Sequence, residues 1–170
     1  MYLHEVVILV IWIGITLLVY FIVCFVRNEK MVVSLYIIFL LLIVYSASLG
    51  LLLFNRPTEQ YYGNFNLIPF STIQFYFSGK VNPFISFYNL AANVCLTIPF
   101  GLFLMIRREK HNLSVLNIIF SPLIFISIIE VLQYFSHRGN LDIDDLILNF
   151  TGVLIGFLIY PVFKRVVQIK

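Results

Sequence analysis

The sequence predicts an all-α membrane protein, a bundle of about five transmembrane helices with an interfacial or re-entrant segment between the second and third. Three observations predict it. Of 170 residues, 61% are hydrophobic and only 11% are charged, whereas soluble domains carry about 25% charged residues. The apolar residues gather into runs close to the roughly 20 needed to cross a bilayer. The charged residues sit in short clusters between those runs, where they control topology, and they form no basic stripe that would suit nucleic acid.

The first run covers residues 6–26 and stops at Arg27-Asn28-Glu29-Lys30. It is too long for a signal-peptide core and no small-residue cleavage site follows, so it reads as a retained anchor. The second covers 31–54, which makes residues 1–54 a transmembrane hairpin. Residues 55–83 change character: turn formers and aromatics replace the apolar run, and aromatics suit the membrane interface. Residues 84–170 hold three further spans. The third, 84–106, is interrupted by Asn89, Asn93, Thr97 and Pro99, and Pro99 with Gly101 is expected to kink it. The fourth, 113–135, contains Glu130 and Gln133. The fifth runs from near Asp145 to about 162 and ends in a basic tail. Cys24 and Cys95 lie inside apolar runs without metal-ligand spacing and read as free thiols.

Orientation follows from the basic residues. With the N-terminus outside and the C-terminus cytoplasmic, Arg27, Lys30, Arg107, Arg108, Lys110, Lys164, Arg165 and Lys170 all face the cytoplasm, eight of the eleven Lys and Arg. The stretch RGNLDIDDLILN, residues 138–149, then faces outside. It holds Asp142, Asp144 and Asp145, three of the eight acidic residues of the chain.

The polar residues of the last three spans share one depth. Glu130 lies five residues before Phe135, roughly 8 Å along a helix axis, and Gln133 shares its face. Asn89 and Asn93 are four apart, as are Asp145 and Asn149. A carboxylate at the centre of a spanning helix costs about 2.5–3.5 kcal/mol on insertion scales, so such groups point into a bundle or a wet cavity. An outward pocket lined by Asn89, Asn93, Glu130, Gln133, Arg138, Asp142, Asp145 and Asn149 is the expected site; a polar clamp that only fixes helix packing is the alternative. Asp144 or Asp145 is expected to cap the fifth helix. Asp142, Asp144 and Asp145 could instead hold a divalent cation through oxygen ligands, although nothing in the sequence requires a cofactor. Gly152 and Gly156 suit a close helix contact.

The motif Asn89-x3-Asn93, the segment IPFGLFLM, then Glu130-x-x-Gln133, an arginine and DIDDLILNFTGVLIG resemble the VanZ-like family over about residues 64–161. The upstream FNLIPFSTI is similar to the segment preceding that core in many members. The resemblance implies an integral, multi-pass protein of the bacterial plasma membrane, typically Gram-positive, associated with resistance to teicoplanin-type lipoglycopeptides. It brings no settled mechanism. Membrane lipids are the expected partners, with the antibiotic or a lipid-linked envelope precursor as further ones; the oligomeric state is left open. Two other readings stand beside binding. Glu130 could act as general acid/base of an enzyme on a lipid-linked substrate, with Gln133 and with Arg138 holding an anionic group. An intramembrane Glu also suits a small carrier, although the chain lacks an internal repeat.

Overall fold

The computed structural model describes residues 12, 16, 19–54 and 65–170. Most of them are helical. A helix over residues 19–27 (α1) is followed by the strand β1, Met31–Val33, and then by α2, Leu35–Phe54. Beyond it come β2 (Phe65–Asn66), α3 (Ser71–Phe77), α4 (Pro83–Cys95), α5 (Ile98–His111), α6 (Val115–Phe135), β3 (Leu141–Asp142), α7 (Ile143–Val166) and β4 (Val167–Ile169). The start of the expected first span and residues 55–64 of the interfacial segment lie outside the described residues.

Among the described residues, three helical stretches are long and apolar enough to cross a membrane: Pro83–His111, Val115–Phe135 and Ile143–Val166. Their outward faces carry exposed Phe84, Phe87, Leu116, Phe120, Ile124 and Leu158. Water would penalise that surface and lipid does not. The chain divides into two compact units, Met1–Phe39 with Pro161–Lys170, and Leu40–Tyr160.

In the first unit, β1 pairs in parallel with β4, Met31 opposite Val167 and Val33 opposite Ile169. The ladder continues as Lys170 N–H donates to Val33 O (3.0 Å) and Leu35 N–H donates to Lys170 O (2.9 Å). Cys24, Val166 and Val167 are buried together beside it, with Phe21 stacked on Phe163. The sequence predicts an uninterrupted helix from residue 31. Met31-Val32-Val33 is a strand instead, because β-branched residues find a partner strand here and extended backbone accommodates their side chains.

In the second unit, the expected third span is two helices. The break falls at Leu96–Thr97, just before Pro99, whose ring fixes φ and removes a backbone donor in the first turn of α5. Thr97 Oγ1 donates across to Asn149 O at 2.5 Å, which satisfies a carbonyl of α7 at that junction. Glycines bring α7 against it. A methyl added at Gly152 would overlap Val94 O, one at Gly156 would lie 2.8 Å from Leu102 N, and one at Gly101 would overlap Val153 O. The Gly152–Gly156 pair is therefore a close helix contact, completed by Gly101 from the facing helix. Leu104, Ile126 and Val153 are buried together beside it, ringed by Phe100, Leu146, Phe150 and Phe157. α6 opens on Ser114, whose side chain accepts from Asn117 N–H, and it carries a buried Pro122 inside the helix.

Candidate functional site

Two polar regions grow from the start of α7, and adjacent aspartates feed them. The first joins α7 to α3. The α3 N-terminus has no cap of its own: Phe70 stands there in the left-handed region at φ 68° and offers no oxygen. Asp144, fully buried at 0% exposure, supplies the cap from 74 positions away in sequence. Its carboxylate accepts from Phe70 N–H (2.5 Å), Thr72 N–H (2.8 Å) and Ile73 N–H (3.1 Å). Those are the orphan donors that every helix start presents, and a carboxylate also answers the dipole there. Asp142 accepts from Thr72 Oγ1 (2.5 Å), from Asn66 Nδ2 (3.3 Å) and from Asp144 N–H (2.9 Å). Below it, β2 and β3 pair in parallel, Phe65 opposite Leu141 and Asn66 opposite Asp142.

One expectation is corrected here. The side chain that caps the start of α7 is that of Asp142, because its Oδ1 reaches the Asp144 N–H two residues on; Asp144 caps α3 instead. Nor do Asp142, Asp144 and Asp145 converge on one point. Among the described residues, no group of three His, Cys, Asp or Glu is placed to hold a metal ion.

The second region is a cavity of about 90 Å³ within the Leu40–Tyr160 unit. Its polar wall brings together Asn93 of α4, Glu130 and Gln133 of α6, and Asp145 and Asn149 of α7. Glu130 and Gln133 are 5% and 6% exposed, so both project into the bundle and not toward lipid. Asn93 Nδ2 donates to Asp145 Oδ1 at 2.5 Å, tying α4 to α7 across the cavity. The apolar wall includes Phe100, Phe125 and Ile126, with the two rings 5.3 Å apart.

Three sequence-selected residues lie elsewhere. Asn89 shares the face of Asn93, but α3 packs beside it and Asn89 Nδ2 donates to Tyr76 Oη at 3.0 Å. Asp142 belongs to the α3 junction. Arg138 does not line the cavity, although Gly139 and Asn140 beside it do; its backbone N–H donates to Gln133 O at 2.9 Å and closes the end of α6.

The cavity also recruits residues that sequence reasoning missed. Leu42, Tyr45 and Ser46 of α2 line it, and Tyr45 Oη donates to Leu96 O at 2.5 Å, occupying a carbonyl at the α4–α5 break. The available signal was the polar pair Tyr45-Ser46 in the middle of an apolar run, since a buried phenol needs a partner.

The VanZ/LLP1 family model matches residues 31–164. The chain belongs to the VanZ/LLP1 family. No curated protein and no solved structure matches it. The VanZ/LLP1 match begins some thirty residues before the point at which the resemblance could be read by eye. It takes in α2, and with it every residue that lines the cavity and every residue of the α3 junction. Together with the three apolar helices, VanZ/LLP1 membership makes this a membrane protein.

Proposed function

We propose that this VanZ/LLP1 protein is a multi-pass protein of the bacterial plasma membrane whose cavity opens to the exterior and takes up part of a membrane amphiphile. In that role it contributes to tolerance of teicoplanin-type lipoglycopeptides, by engaging the drug or the envelope lipid on which it anchors. The observation that carries this reading is the convergence of Asn93, Glu130, Gln133, Asp145 and Asn149 from three helices around an unfilled space. A clamp made only for packing would leave no such space, because interiors close to near-crystalline density.

Sidedness rests on charge. The α5 end carries Arg107, Arg108 and Lys110 and the α7 end Lys164 and Arg165, which the positive-inside rule assigns to the cytoplasm. Asn93 precedes Arg107 by fourteen residues, roughly 21 Å of helix, which puts the cavity in the outer half. The same orientation, with five spans and an external N-terminus, lays α3 along the outer interface.

The test is susceptibility of a sensitive Gram-positive host expressing wild type or Glu130→Gln at matched membrane levels. Wild type is expected to raise tolerance of teicoplanin but not of vancomycin, and Glu130→Gln to lose at least tenfold of that effect. Equal protection by the two proteins would remove Glu130 from the site.

A further inference from the structure

The unit formed by Met1–Phe39 with Pro161–Lys170 gathers charge that the cavity does not use. Within it α1 and α7 end side by side, since Cys24 and Val166 are buried in one cluster. α1 stops at Arg27, and Asn28 turns the chain back in the left-handed region at φ 55°, with Glu29 N–H donating to Cys24 O (3.0 Å). β1 then begins, and its parallel register sets Met31 opposite Val167. Lys30 and Arg165 therefore flank the same end of a ladder whose strands run about 4.8 Å apart. Lys170 stands beyond the opposite end, after Ile169. Arg27, Lys30, Arg165 and Lys170 are all exposed, and among the described residues of this unit Glu29 is the one acidic side chain. Three cations and one carboxylate leave a net charge of +2 at the end where Arg27, Lys30 and Arg165 meet.

Two simpler accounts fall short of this arrangement. Cations in the last turns of α1 and α7 complement the helix dipoles, but Lys30 lies beyond both helices, and the dipole effect fades within a turn. Control of topology asks only that cations share one side of the membrane, not that a strand pair bring residues 27–30 up to residue 165. The chemistry of the cluster suits a phosphodiester. Two guanidinium groups offer planar forks and Lys30 a point charge. A zwitterionic headgroup would bring its own cation against them. The same cations rim an apolar surface, because exposed Val23 and Val26 lead into Arg27 and exposed Val162 precedes Arg165 by less than a turn. A nucleic acid or an acidic peptide answers the cations alone; a phospholipid answers the cations with its headgroup and the valines with its acyl chain.

We propose that this end of the β1–β4 ladder is a binding site for one anionic phospholipid, whose phosphate is held by Arg27, Lys30 and Arg165 and whose acyl chain lies against Val23, Val26 and Val162. The site is separate from the cavity and does not depend on what the cavity takes up.

The test uses the full chain reconstituted in phosphatidylcholine nanodiscs, with its Tm followed as phosphatidylglycerol replaces phosphatidylcholine. Tm is expected to rise saturably, by about 5 °C at roughly a hundredfold excess over Kd. The phosphatidylglycerol fraction at half the rise is expected to increase about fivefold in each of Arg27→Gln, Lys30→Gln and Arg165→Gln. Arg27→Lys, which keeps the charge and loses the fork, is expected to increase it at least about twofold. Lys170→Gln at the far end of the ladder, and Arg107→Gln and Lys110→Gln in the other unit, are expected to move it less than about twofold. The Tm of each variant in phosphatidylcholine alone reports whether it folds, and the lipid comparison on wild type needs no variant. Equal shifts in all six glutamine variants overturn the site in favour of a diffuse surface attraction. An equal rise with soluble glycerol phosphate overturns the lipid part, and an equal rise with a polyglutamate peptide overturns the choice of lipid over protein. No rise with phosphatidylglycerol overturns the proposal and leaves the cavity reading untouched.

Discussion

Asp144 and Asp145 are neighbours in sequence and serve two regions of opposite character. At the α3 junction the carboxylate of Asp144 is completely enclosed and accepts from three backbone N–H groups, while Asp142 next to it accepts from Thr72, Asn66 and the backbone. Polar groups there meet protein groups. In the cavity, Asp145 reaches Asn93, yet the walls stand apart around about 90 Å³. A helix advances about 100° per residue, so adjacent side chains must address different surroundings. The difference separates two uses of buried carboxylates: one completes a fold, and the other furnishes a surface for something that arrives later.

Breaking the junction should be the most damaging change. Asp144→Ala leaves three backbone donors and no replacement, an expected loss of about 3–5 kcal/mol, visible as a collapse of membrane protein level and of the thermal transition. A loss under about 1 kcal/mol would mean that the junction is not what holds α3 in place. Gly152→Ala comes next. It forces a methyl against Val94 O and pushes α7 from the α4–α5 break, at about 1–3 kcal/mol, and it should weaken ligand-induced stabilisation through the altered wall. Asn149→Ala should be the mildest. Its carbonyl still accepts from Thr97, so stability should move by no more than about 1 kcal/mol, while tolerance or lipid binding falls severalfold. A variant with unchanged stability and unchanged binding would take Asn149 out of the site.

The cavity side of this contrast was legible because it obeys helix periodicity. Glu130 and Gln133, three apart, and Asp145 and Asn149, four apart, each mark one face, and a carboxyl in an apolar span has few places to go. The same spacing put Asn89 and Asn93 on one face, yet of the two it is Asn93 that lines the cavity. Periodicity gives the face but not the neighbour, and α3 covers the face at Asn89's level. The junction was illegible for a different reason. Capping rules search within a few residues, whereas the cap of α3 comes from the far side of three helices. The α2 contribution left only the Tyr45-Ser46 pair as a sign, and that pair names no partner until Leu96 O is beside it. Neither parallel strand pair could be anticipated, since pairs of two or three residues carry no periodic signal.

The capping of α3 by a residue 72 positions beyond Thr72 also sets an order of events during synthesis. At about 5–20 residues per second, Asp144 leaves the ribosome roughly 4–14 s after the helix start that it completes. Over that interval the FNLIPFSTIQFYF segment has emerged with its first-turn N–H groups unanswered, and water or lipid headgroups must serve them. α7 therefore completes the α3 junction as well as one wall of the cavity. A stalled or truncated chain ending before it would carry an unfastened aromatic segment, a natural target for a membrane protease that inspects unfinished products.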